Sequence, residues 1–165
     1  MESIPHRWRF VTNWQSSDIN DANAILKFWR GEGAFHDEAV ATQRISEVIM
    51  HVRDAANEVA AVCTAVAVTL PRLEQPMYYY RCFVGKKWRS TNLVSLLTMR
   101  ARQCLEDYAS AHDFPCIGIV IELENERFGE TLRSPVWQPT GFVYIGKSQR
   151  GLDLRVYYFR GARLK

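Results

Sequence analysis

Residues 6–14, HRWRFVTNW, alternate apolar and polar side chains, the period-two signature of a half-buried strand. SSDIN then offers capping residues. DANAILKFWRGE sets Ile25, Leu26, Phe28 and Trp29 on one broad apolar side, which predicts a helix over 18–31 closed by Gly31 and Gly33. HDEAVATQR predicts a second, shorter helix over 36–43. RISEVIMHVRD (44–54) alternates again, with Ser46, Val48, Met50 and Val52 on one side. AAN makes a turn, and the β-branched run EVAAVCTAVAVTL (58–70) is the next strand. PRLEQP reads as a loop bracketed by prolines, and MYYYRCFV (77–84) as the third strand of a meander.

The longest helical pattern runs from about Thr91 to Ala111, with Leu93, Leu97, Cys104, Leu105 and Tyr108 as its apolar stripe. FPCIGIVIEL (114–123) reads as a buried strand and 125–138 as a short helix and loop. GFVYIG and LRVYYF, joined by KSQRGLD with Gly151 at the bend, read as a C-terminal hairpin. The sequence shows no internal repeat, low-complexity run or linker. A meander followed by a strand–helix–strand crossover predicts one α/β domain over 1–165: a mixed, mostly antiparallel sheet with helices on both faces.

Composition narrows the class. A chain of 165 residues, 47% apolar, can bury roughly 70% of its unfolded surface in one core. No apolar run reaches the ~18 residues of a membrane span. MESIPHRWRF lacks the apolar block of a signal peptide, so a cytoplasmic protein without a membrane partner is expected. Cys63, Cys82, Cys104 and Cys116 have no CxxC spacing and sit in apolar segments. They read as reduced core residues, with no metal site expected.

Charge matters through its distribution. The net charge of +3 is too small to imply nucleic acid by itself. Residues 85–102 carry five cations and no acid; residues 147–165 carry six cations and one acid, and the remainder sums to −7. Two local basic segments suggest local anion binding, with solvated cations as the plain alternative. Aromatic residues interleaved with cations would also suit base stacking. Most of these aromatics lie in strands that need a core, so nucleic acid is not the expected partner.

The first basic segment opens on GKKWRSTNLVSLL (85–97), where a strand gives way to a helix. The first turn of a helix has unpaired N–H groups and a positive partial charge, and a phosphate there accepts several backbone hydrogen bonds. Lys86, Lys87 and Arg89 supply charge, and Ser90, Thr91 and Ser95 supply hydroxyls. The same residues also read as an ordinary capped helix with solvated lysines.

This stretch and the element order resemble the GCN5-related N-acetyltransferase (GNAT) family over most of the chain. In that family a Gln/Arg-x-x-Gly-x-Gly/Ala loop wraps the pyrophosphate of acetyl-CoA. Arg89 matches its first position. Asn92 stands where the first Gly belongs and Val94 where the second Gly or Ala belongs; Leu96 and Leu97 continue as the family's helix does. Asn can replace Gly where a positive φ is needed, whereas a branched Val would crowd the oxygens. Gly141-Phe142 looks like the Gly-Phe that closes the crossover in many members.

The resemblance implies an acyl-CoA N-acyltransferase-like fold. It also implies an acetyl-CoA-dependent N-acetyltransferase working by direct transfer in a ternary complex. Phe83, Val84, Lys86, Lys87, Arg89, Ser90, Thr91, Asn92, Leu93, Val94 and Ser95 would hold acetyl-CoA, in an opening where the strands around the crossover splay apart. Asn125 would lie near the pantetheine arm. The acceptor would be a small-molecule or peptide amine. Helices 18–31 and 36–43 would line part of its pocket, with Glu32, Asp37 and Glu38 able to attract a cation. Glu122 is the candidate base, with Glu124 beside it. Many members protonate the thiolate with a Tyr four residues before the Gly of Gly-Phe; here that position is Trp137, leaving Tyr78, Tyr80 and Tyr144 as other donors. The alternative is a degenerate, non-catalytic member that binds an anionic ligand or a partner. The C-terminal cations could serve a homodimer contact, an acidic partner or nothing.

Overall fold

The computed structural model describes residues 8–16, 18–125, 128 and 131–165. Strand β1 (Arg9–Thr12) and helix α1 (Ile19–Glu32) lie where the pattern puts them. Asp18 caps α1 by accepting the Asp21 amide. Gly33 closes it with φ 65°, a conformation that costs glycine nothing because it has no Cβ. Gly31 stays inside the helix. Helix α2 (Glu38–Arg44), capped by Asp37, passes through a 3-10 turn over Ile45–Glu47 into β2 (Val48–Arg53). Strands β3 (Val59–Thr69) and β4 (Pro76–Val84), helix α3 (Leu93–Ala111) and strand β5 (Gly118–Glu122) follow. Strands β6 (Val136–Trp137), β7 (Phe142–Lys147) and β8 (Asp153–Tyr158) complete the order.

The eight strands form one mixed sheet in the order β1-β2-β3-β4-β5-β8-β7-β6. β4 and β5 are parallel across the α3 crossover, with Tyr78–Tyr80 in register with Ile119–Ile121. The β1–β2, β2–β3, β5–β8, β8–β7 and β7–β6 pairs are antiparallel. The expected mixed, mostly antiparallel architecture is therefore the observed one.

Local departures have physical reasons. β2 was expected to alternate, yet Val48 through Val52 are all buried. A strand covered on both faces has no polar side, so its alternation carries no orientation. α3 begins at Leu93, two residues after the expected start, because Thr91 is folded into a cap below it. β5 begins at Gly118 because Asp113 and Phe114 take φ of 57° and 51° and break the extended chain. β6 is two residues long, too short for any period to show. The short helix expected in 125–138 falls partly on residues outside the described ones.

Two compact units make up the chain: Met1–Thr64 with Cys82–Ala101, and Ala65–Arg81 with Arg102–Lys165. In the first, Ile25, Trp29, Ala41, Val48 and Val62 form a core with Leu26, Phe28 and Phe35 against it. In the second, Met77, Ile117, Val120, Leu154 and Val156 do so, with Tyr79 at the margin. Gly118 lets β5 and β8 approach: a Cβ there would stand 2.3 Å from the Tyr157 carbonyl oxygen.

The first unit also buries a polar knot. His51 is fully enclosed, its Nδ1 2.6 Å from Asn13 Oδ1, and Arg53 Nε donates to its Nε2 at 3.2 Å. Because Nε2 accepts, the proton sits on Nδ1 and is donated to Asn13; the ring is neutral. Burial pushes its pKa down to about 4, with Asp21 pulling the other way. Asn13 Nδ2 in turn donates to Asp21 Oδ2 at 3.0 Å, so the knot ties β1 and the start of α1 to β2.

Candidate functional site

Strand β4 ends in a tight clamp. The Gly85 amide donates to the Ala60 carbonyl at 2.8 Å. A Cβ on Gly85 would meet Glu32 Oε1 at 3.1 Å, the Ala60 oxygen at 3.3 Å and Phe28 Cε2 at 3.3 Å, so a side chain there would press on all three. A 3-10 turn over Lys86–Trp88 follows, and α3 opens at Leu93.

Several cations of this segment rest on aromatic rings. Lys87 Nζ lies 4.8 Å from the Trp88 ring centre, the Arg89 guanidinium 5.5 Å from Phe83, and Arg100 4.2 Å from Phe10. Arg89 Nε also donates to the Val84 carbonyl at 3.1 Å, which folds the side chain back along the end of β4. Lys86, Lys87 and Arg89 are exposed, as are Ser90 and Asn92.

The cap is built by Thr91, whose hydroxyl donates to the Trp88 carbonyl at 2.6 Å and accepts the Leu93 amide at 3.3 Å. Its one proton is spent, so it offers a ligand no donor. Asn92 is the last residue before the helix, and its carbonyl accepts the Leu96 amide. It is not among the positive-φ residues, so the glycine-like backbone expected of it is not what the chain uses. Leu93 is fully buried and can contribute only its backbone. Val94 and Ser95 stand in the first turn, where backbone donors have no intrahelical acceptor.

Phe83 through Ser95 all belong to the first unit, whereas Glu122 and Asn125 belong to the second. Glu122 closes β5 with its side chain 9% exposed. Tyr79 Oη donates to Glu122 Oε1 at 2.6 Å, and Arg150 from the β7–β8 turn reaches both Glu122 and Glu124 at 3.2 Å. Burial pushes the Glu122 carboxyl up, but hydrogen bonds from Ser148, Tyr79 and Arg150 outweigh it and hold the group below its ordinary value. Glu122 is therefore a pinned carboxylate and a weak base. The Asn125 side chain accepts the Phe128 amide at 3.2 Å, as a helix cap does.

The candidate proton donors are equally constrained. Trp137 is buried, with its ring centre 5.2 Å from that of Phe128. Burial raises Tyr78, and it pushes Tyr79 up to about 12, with the bond to Glu122 adding to the shift. Both are weaker acids than a free phenol. Tyr144 is partly exposed on β7, beside the Arg155 guanidinium.

Three of the C-terminal cations have partners of their own. Lys147 pairs with Asp153, and Arg150 with Glu122 and Glu124. Arg155, 2% exposed, donates to the carbonyls of Pro135, Leu132 and Ser134, while its Nε has no partner. Arg150 and Ser148 sit in a turn with no sequence motif; only the fold sets that turn against the end of β5. Glu32, expected to be able to attract a cation, has its carboxylate at the Lys86 amide and beside Gly85. The glycine at the strand end was the one available sign of a close neighbour there.

No protein-family model and no curated protein sequence matches the chain. Solved structures do. A GNAT-family acetyltransferase from Streptococcus pneumoniae aligns at TM-score 0.60 and 14% identity, over 93% of this chain and 100% of that one. A GCN5-related N-acetyltransferase from Kribbella flavida aligns at TM-score 0.60 and 17% identity, over 92% and 98%. AtaTR bound with AcCoA aligns at TM-score 0.55 and 12% identity, over 93% and 92%. The chain thus has the GNAT acyl-CoA N-acyltransferase fold. Among the described residues no helix is long and apolar enough to cross a membrane.

Proposed function

We propose that this protein is a divergent, cytoplasmic N-acetyltransferase that takes acetyl-CoA as donor and a small-molecule or peptide amine as acceptor. One observation carries the reading: in a GNAT fold, β4 delivers Lys86, Lys87 and Arg89, all exposed, to the start of the crossover helix. The donor set suits a diphosphate in charge and in amides, with the branched Val94 side chain as the one group expected to crowd it. Three cations and the first-turn amides of Val94 and Ser95 are the groups that such an anion needs. The AcCoA-bound neighbour supports the choice of donor.

Bound acetyl-CoA would supply a thioester carbonyl open to attack by a neutral amine. The chain's own part is to hold the diphosphate through the loop and to manage protons. Glu122 is assigned as the acceptor of the amine's proton, under a limit set by its hydrogen bonds: a carboxylate held below its ordinary range takes that proton poorly. The rate should therefore keep rising with pH as the free-amine fraction grows, and Glu122→Gln should lower kcat without weakening CoA binding. The buried Trp137 has no acidic proton to give, and burial makes Tyr78 and Tyr79 poor donors to the departing thiolate.

The test is CoA release from acetyl-CoA across a panel of small amines and peptides. Amine-dependent release is expected. CoA binding without release on any amine would instead support a non-catalytic anion-binding protein of the same fold.

A further inference from the structure

We propose that Glu32 is a positioning residue for the phosphate loop: its carboxylate fixes the Lys86 amide and so sets the turn that carries Lys86, Lys87 and Arg89. The inference rests on the reading of that loop as the diphosphate holder. Glu32 is the last residue of α1, and the helix end is anchored. The Gly33 amide donates to the Arg30 carbonyl and the Ala34 amide to that of Trp29, a core residue. From there Glu32 Oε2 accepts the Lys86 amide at 3.2 Å, while Oε1 packs against Gly85.

The same helical turn supports Arg89 by a second route. Phe28 meets Phe83 edge to face, ring centres 5.9 Å apart, and Phe83 is the ring under the Arg89 guanidinium. The C-terminal end of α1 thus touches both supports of the cation set, the amide that starts the turn and the ring beneath the arginine. A carboxylate is an odd neighbour for a diphosphate, since its charge opposes the ligand. As an acceptor for the loop amide it is a strong one. Its two effects have opposite sign, which makes them separable.

Glu32→Gln keeps an acceptor oxygen and removes the charge; CoA should bind at least as tightly as to the wild type. Glu32→Ala removes both, and affinity should fall roughly fivefold, as for one lost hydrogen bond. Tightening in both variants would mean that Glu32 acts by charge alone, and would overturn the proposal. Unchanged affinity in both, with only a lower Tm for Glu32→Ala, would overturn it as well. Amide hydrogen exchange needs no cofactor: Lys86 to Trp88 should exchange faster in Glu32→Ala and normally in Glu32→Gln. Refusal of CoA by the wild type would sink the loop reading, and the exchange rates would still decide the positioning claim. Equal exchange in all three proteins would end it.

Discussion

Residues 85–102 and 147–165 each carry a net charge of +5, and their cations meet different partners. In the first segment Lys87, Arg89 and Arg100 lie over Trp88, Phe83 and Phe10. A ring face attracts a cation but cannot neutralise it, so the positive charge remains available to a ligand. In the second, Lys147 and Arg150 meet carboxylates, and Arg155 is enclosed by backbone carbonyls. Equal charge on paper leaves exposed cations over rings in one place and cations tied to carboxylates and carbonyls in the other. What decides is the partner each cation finds, and that depends on the fold.

Four experiments sharpen this contrast, from the largest effect down. Arg155→Ala should cost roughly 2–4 kcal/mol, because it strands three carbonyls and empties an enclosed site. A denaturant midpoint would read it, and the CoA affinity of the folded fraction should not change. Acid should act next, through the first unit. The folded His51 pKa of about 4 lies below its ordinary 6.5, so between these values the unfolded chain binds more protons. Stability should fall as pH drops from about 6.5 toward 4, and His51→Asn should flatten that slope in thermal melts.

Lys87→Ala with Arg89→Ala should weaken CoA binding more than about tenfold, or ~1.4 kcal/mol, with Tm unchanged. Calorimetric titration would show it; an equal affinity in both proteins would remove the loop assignment. Arg150→Ala should do least. It is exposed, so stability should hardly move, but the Glu122 carboxyl should titrate closer to its ordinary value. A carbon-detected NMR titration of Glu122 would read that shift.

Much of the architecture was legible because it rests on long, one-sided patterns. α1, β3, β4 and α3 each bury a stripe or a strand long enough to show a period. The loop cations and the capping role near Thr91 were also legible, as local chemistry of adjacent residues. What stayed hidden depends on distant pairing. β2 looked amphipathic but is covered on both sides, with His51 kept neutral by burial and bonded to Asn13, 38 residues away in sequence. Glu122 looked like a free carboxylate at a strand end, and only the fold aims Tyr79 and Arg150 at it. The positive φ proposed for Asn92 came from the family's glycine, and this backbone does not take it.

The central claim is that the segment with ring-borne cations, and not the equally charged C-terminal one, receives the diphosphate. Titrating CoA into the isotope-labelled protein and following every backbone amide by NMR tests it directly. The account predicts saturable shifts concentrated between Gly85 and Ser95, with residues 147–152 unmoved. Shifts centred on the C-terminal hairpin, or none at millimolar CoA, would contradict it.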